Sequence, residues 1–140
     1  MPSQAQRFGA CHSPCFWSRS GGALGAALRY GSVEAVQRLM GNAFPWGTLF
    51  VNVVGSFALG FLLLAMERME LSEEVRHFAA IGVLGAFTTF SAFSWDIIWL
   101  MREGEWLRAG VYATGSVAVG VTALVAGGGL LASTVLSAPG

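Results

Sequence analysis

Lysine is absent from this 140-residue chain, and its eight arginines are balanced by eight acidic residues. A nucleic-acid partner or a polybasic lipid-binding tail needs a concentration of positive charge, and the sequence offers none. Charge is scarce altogether. Charged residues make up 11% of the chain, against roughly 25% in a soluble domain. Histidine is limited to His12 and His77. With so few, there is no serine–histidine–carboxylate set, no zinc-binding helix pair and no phosphate-binding glycine loop with its lysine. Those absences argue against an enzyme. The two cysteines, Cys11 and Cys15, flank His12. Zinc wants a fourth ligand that the sequence does not supply, so they read as unpaired thiols. A secretory signal with charged head, apolar run and cleavage site is not visible either.

What the chain has is apolar length. Hydrophobic residues make up 54%, and no charge occurs in residues 46–66 or 109–140. Each stretch exceeds the ~20 residues that cross a ~30 Å hydrocarbon core. The sequence therefore predicts an all-α integral membrane protein of four helices, multi-pass in the cell (inner) membrane, with the lipid bilayer as its surroundings. The spans fall at about 17–39, 46–66, 75–101 and 107–132. Residues 1–20 stand apart as an irregular lead-in or the first turns of the first helix, before a four-helix domain over 21–140. Ser72 ahead of Glu73 and Glu74 is a helix N-cap with acids in the first turn.

The third span has the composition of an interrupted helix. Residues 82–94 hold two glycines, two threonines and two serines. Backbone that leaves the helix within lipid must be buried in protein or line an aqueous cavity. A glycine- and hydroxyl-rich stretch at that depth predicts a broken helix, which membrane transport proteins use to build ion sites. Small residues at helical spacing, Gly21 with Gly25 and Ser56 with Gly60, mark close packing faces, and Gly115, Ser116 and Gly120 lie along the fourth span. Four such helices enclose little space, so a dimer is the natural way to make a pathway. Arg7, Arg19, Arg68 and Arg76 would lie on one side of the membrane, and Arg38, Arg102 and Arg108 on the other. That is almost no bias for the positive-inside rule to act on, and antiparallel dimerisation becomes feasible.

Polar groups at bilayer depth are costly and so are functional candidates. Asn52 interrupts an apolar run. Its carboxamide is a good anion donor, and equally a good interhelical hydrogen-bonding group. Arg29 suits either a positive pore mouth or a snorkelling helix end. Asp96 reads as a proton or cation ligand, or as a carboxylate reaching the interface. Phe90 and Phe93, three apart, share a helix face. Phenylalanine is ordinarily core or lipid-facing, but electropositive ring edges also suit a small, strongly hydrated anion that a full charge would trap.

Three blocks together resemble the Fluc/CrcB family of fluoride ion channels. They are Gly21-Gly22-Ala23-Leu24-Gly25-Ala26-Ala27-Leu28-Arg29-Tyr30, then Gly47-Thr48-Leu49-Phe50-Val51-Asn52 with Gly55, and Gly82-Val83-Leu84-Gly85-Ala86-Phe87-Thr88-Thr89-Phe90-Ser91-Ala92-Phe93-Ser94. The resemblance runs from about Gly21 to Leu131. It implies an antiparallel, dual-topology homodimer with fluoride pathways at the subunit interface, exporting fluoride passively. It further implies a structural sodium ion held by the backbone carbonyls of Gly85 and Thr88. The fluoride pathway implied is Asn52, Phe90, Phe93, Tyr112 and Ser116, with Arg29 at a vestibule. The residues before Gly21 depart from the family's apolar start, carrying His12, Pro14 and Arg19. Two other readings of the residues stand beside this one. A small proton-coupled multidrug exporter needs a deeply buried carboxylate, and Asp96 is poorly placed for that. A non-conducting membrane assembly subunit of the same fold is compatible with the packing glycines.

Overall fold

A computed structural model describes residues 12–136 of the chain. The described residues form helices joined by short connections and contain no strand. Helix α1 is His12–Met40 and α2 is Trp46–Met69. A short α3 (Glu73–Arg76) runs into a π-helical segment (His77–Leu84), followed by one turn, α4 (Gly85–Phe87). Helix α5 is Phe90–Arg102 and α6 is Trp106–Leu136. Among the described residues, three stretches are long and apolar enough to cross a membrane: Trp46–Met69, Glu73–Arg102 taken through its interruptions, and Trp106–Ser133. The protein is thus a multi-pass membrane protein by length and composition. Helix α1 has 29 residues, about 43 Å at 1.5 Å per residue, with Arg19, Arg29, Glu34 and Arg38 along it.

Residues 12–20 are the first turns of α1, and Trp17 packs edge-on against Phe78 with ring centroids 6.3 Å apart. Cys11 lies outside the described residues, so the Cys11-His12-x-x-Cys15 cluster does as well in part; the Cys15 thiol is exposed. Helix α1 stops at Gly41, whose φ of +85° is open to glycine and costly for other residues, and whose N–H returns to Gln37 O at 2.9 Å. Ser72 begins α3, its Oγ accepting from the Val75 N–H at 3.5 Å.

Close backbone approach holds the bundle together. A Cβ at Gly60 would run into the backbone of Leu124, and one at Gly127 into the backbone of Phe57. These glycines let α2 and α6 touch main chain to main chain, which is how helices gain dispersion contact in lipid. Gly21 and Gly25 do the same between α1 and the backbone of the π-helical segment at Phe78 and Val83. Ser56 faces α6 at Gly120. The buried side-chain cluster is small: Phe93, Leu100, Ala109 and Tyr112, where α5 meets the start of α6. Large apolar residues such as Phe50, Phe61, Val121 and Val125 point outward instead. In water such a surface would aggregate; in a bilayer it is the solvated face.

Candidate functional site

The third apolar stretch leaves the helix at Thr88 and Thr89, whose backbones are extended (φ −81°, ψ 158° and φ −151°, ψ 120°). The local sequence explains why the chain tolerates the break. Thr89 is the N-cap of α5: its Oγ1 accepts from the Ala92 N–H at 3.2 Å and pairs with Ser91 Oγ at 3.2 Å. Thr88 closes the preceding turn, with both its N–H and its Oγ1 donating to Leu84 O at 3.1 Å.

Asn52 on α2 supplies what the break lacks. Its Nδ2 donates to Thr89 O at 3.0 Å, and its Oδ1 accepts from the Thr89 N–H at 2.7 Å. Of the two sequence readings of Asn52, the interhelical bond is therefore present. One Nδ2 hydrogen is still left for a further acceptor, since a carboxamide carries two donors. Gly55, one turn further along α2, makes the approach possible, because a Cβ there would strike the Thr88 side chain and the Phe87 ring.

These bonds free two carbonyls. A continuous α-helix would send the Thr89 N–H to Gly85 O and the Ala92 N–H to Thr88 O. Here the first goes to Asn52 Oδ1 and the second to Thr89 Oγ1. Gly85 O and Thr88 O thus lose their helical donors on either side of one turn. Both residues border a cleft of about 290 Å³ shared with Asn52, Ser56, Thr89 and Phe90. The Phe90 ring stands at its edge, 79% exposed.

Behind the cleft the aromatic rings form a continuous column. Phe90 and Phe93 have centroids 5.7 Å apart, and Phe93 and Tyr112 5.3 Å. Phe44 meets Tyr112 edge-on at 5.3 Å and 88°, and Trp46 meets Phe44 at 4.6 Å. Phe93 and Tyr112 are buried, and the Tyr112 hydroxyl donates to Asp96 Oδ2 at 3.1 Å. Asp96 is thus tied to Tyr112, with the buried Thr48 beside both.

Ser116, one helical turn beyond Tyr112, has a buried hydroxyl without a hydrogen-bond partner. Buried polar groups are almost always paired, and this one has no partner among the described residues. Arg29 is half-buried on α1, does not border the cleft, and is part of no ion pair among the described residues. The structure therefore brings Asn52, Gly85, Thr88 and Phe90 together, sets Phe93 and Tyr112 behind them, and leaves Arg29 apart. Gln37 and Phe44 escape a reading of the sequence. A glutamine near a helix end looks solvent-facing, and Phe44-Pro45 looks like an ordinary connection.

The CrcB-like protein, Camphor Resistance (CrcB) family model matches residues 16–128. The fluoride-specific ion channel FluC of Hyphomonas neptunium is 50% identical over 109 residues, covering 76% of this chain and 86% of that protein. The FluC of Roseiflexus sp. is 46% identical over 112 residues, covering 79% and 90%. The FluC of Thermus thermophilus is 50% identical over 101 residues, covering 72% and 81%. With the broken helix and most of its length matched, this chain belongs to the CrcB family.

Proposed function

We propose that two copies of this chain, packed antiparallel, form a fluoride-selective channel that lets fluoride leave the cell passively across the inner membrane. The observation that carries this reading is the identity of about 50% to proteins named fluoride-specific ion channels, over some three-quarters of the chain. In this reading α1 also crosses, as the first of four spans, with Arg19 and Arg38 reaching toward opposite interfaces. It calls for no nucleotide and no chemical step.

The physical task is to strip water from a small anion without trapping it. Neutral donors suit that task. The spare Asn52 N–H and the Ser116 hydroxyl would each replace part of a hydration shell, and the Tyr112 phenol would join them by turning its one O–H from Asp96 to the anion. The edges of the Phe90 and Phe93 rings add weak positive potential. The amino terminus of α5 begins beside Phe90, and its dipole favours negative charge there. Arg29 would raise the anion concentration at a vestibule from a distance.

A homodimer is favoured because the cleft is open and Phe90 is largely uncovered on a single chain. The carbonyls of Gly85 and Thr88 fit a structural sodium ion: they are hard oxygen donors freed from helical bonding, at positions a second copy would duplicate. Bound there, the cation would hold two breaks together and lend positive potential to the interior. The protein's own part is to present the carbonyls, which Asn52 and the Thr89 cap accomplish.

Current across a planar bilayer tests the reading. With fluoride on one side and an equal concentration of chloride on the other, the reversal potential should lie far from zero, with the sign set by fluoride. A reversal near zero, or no current from dimeric protein, contradicts it.

A further inference from the structure

We infer that Phe44 is a positioning residue for Tyr112, and that the Gln37 carboxamide holds it in place by closing the connection between α1 and α2. The inference rests on the reading above, in which the Tyr112 hydroxyl belongs to the fluoride pathway.

The connection at residues 41–45 is too short to pack a core of its own, and one side chain organises it. Gln37 Nε2 donates to Gly41 O at 2.8 Å and to Phe44 O at 3.0 Å. Its Oε1 accepts from the Gly47 N–H at 3.2 Å. The start of α2 needs this bond, because its N-cap is Pro45, which has no side-chain group to accept an amide. A single carboxamide therefore satisfies the end of α1, the loop and the start of α2 together. Its second bond fixes the carbonyl of Phe44 and so aims the Phe44 ring.

That ring lies edge-on against Tyr112, while Phe93 packs at a tilt of 46° against the same phenol, both with centroids 5.3 Å away. Tyrosine has two side-chain torsions, and two rings packed against it restrict them. With the ring so held, the hydroxyl falls on Asp96 Oδ2 at 3.1 Å. Without Phe44 the phenol has more room to swing, and only Phe93 and the bond to Asp96 restrain its hydroxyl. The loop thereby sets a hydroxyl that lies across the fold on α6.

The test compares wild type, Phe44→Ala, Tyr112→Phe and the double variant, each reconstituted as the full chain in liposomes. Phe44→Ala should slow fluoride release severalfold in the wild-type background. In the Tyr112→Phe background it should change release by less than twofold, since no hydroxyl is left to position. A purely structural role for Phe44 would slow release equally in both backgrounds and overturn the inference. Gln37→Met, similar in length but without hydrogen bonds, should slow release in the same direction, and Phe44→Tyr should preserve it. A second readout does not depend on conduction. Tyr112→Phe should lower the melting temperature of the detergent-solubilised protein, and lower it much less when Phe44 is already alanine. Equal drops in the two backgrounds would also overturn the inference. Absence of fluoride release from wild type would instead strike the channel reading, leaving the melting comparison to decide the role of Phe44.

Discussion

The Asn52 carboxamide and the backbone of Thr89 exchange two hydrogen bonds, Nδ2 to carbonyl at 3.0 Å and N–H to Oδ1 at 2.7 Å. Thirty-seven residues separate them in the chain. One side chain thus takes the place of a missing turn of helix, and the break it supports releases Gly85 O and Thr88 O.

Removing that side chain leaves an amide and a carbonyl unpaired at bilayer depth. Each costs about 1–3 kcal/mol. Asn52→Ala should therefore lower the melting temperature and abolish fluoride release together. Asn52→Asp can still accept from the Thr89 N–H but cannot donate to Thr89 O, and it adds a negative charge. It should melt above Asn52→Ala and still conduct no better. Thermal unfolding beside electrode-read efflux distinguishes the support of the break from contact with the ion.

Phe90 and Phe93 should part company in stability though not in function. Phe90 is 79% exposed and Phe93 9%. Phe90→Ile should slow fluoride release while melting stays within a degree or two of wild type. Phe93→Ile should slow release and also cost about 1 kcal/mol in stability, as reshaping a packed side chain does. Unchanged release in both variants would remove the phenylalanines from the pathway.

Ser116 offers the reverse pattern. Its buried hydroxyl has no partner among the described residues, so Ser116→Ala removes an unsatisfied group and should leave the melting temperature unchanged or raised. Fluoride release should nevertheless fall severalfold. A fall in stability would mean that the hydroxyl has a structural role.

Much of this arrangement was legible in the sequence, and the reasons differ by residue. The break at Thr88–Thr89 announced itself because glycine and hydroxyl residues are poor helix formers and are expensive at bilayer depth unless used. Asn52 stood out for the same cost, though its partner could not be read, since nothing in a periodicity relates positions so far apart. The π-helical segment His77–Leu84 left no signature. Its hydrogen-bond register accompanies a close contact with Gly21 and Gly25 on another helix, not a local composition. Asp96 looked like a carboxylate reaching the interface, and only the fold shows it meeting Tyr112 on the next helix. Gln37 was silent because its three partners lie in a loop and a helix start whose geometry the sequence does not specify.

The close contact of α2 with α6 gives a test of packing alone. Gly60→Ala and Gly127→Ala would each place a methyl group against backbone that cannot yield, and each should cost about 1–3 kcal/mol. Gly22→Ala and Gly129→Ala meet open space and should be neutral or slightly stabilising, since alanine is the better helix former. Melting curves of the four purified variants check the contrast, and equal behaviour would contradict the packing.

Fluoride release from liposomes holding the purified wild-type protein, read with a fluoride electrode and with chloride release in parallel, addresses the central claim most directly. Rapid fluoride release with little chloride release is the result expected of a fluoride-selective channel. No fluoride release from folded dimer, or release of both anions at similar rates, would contradict it.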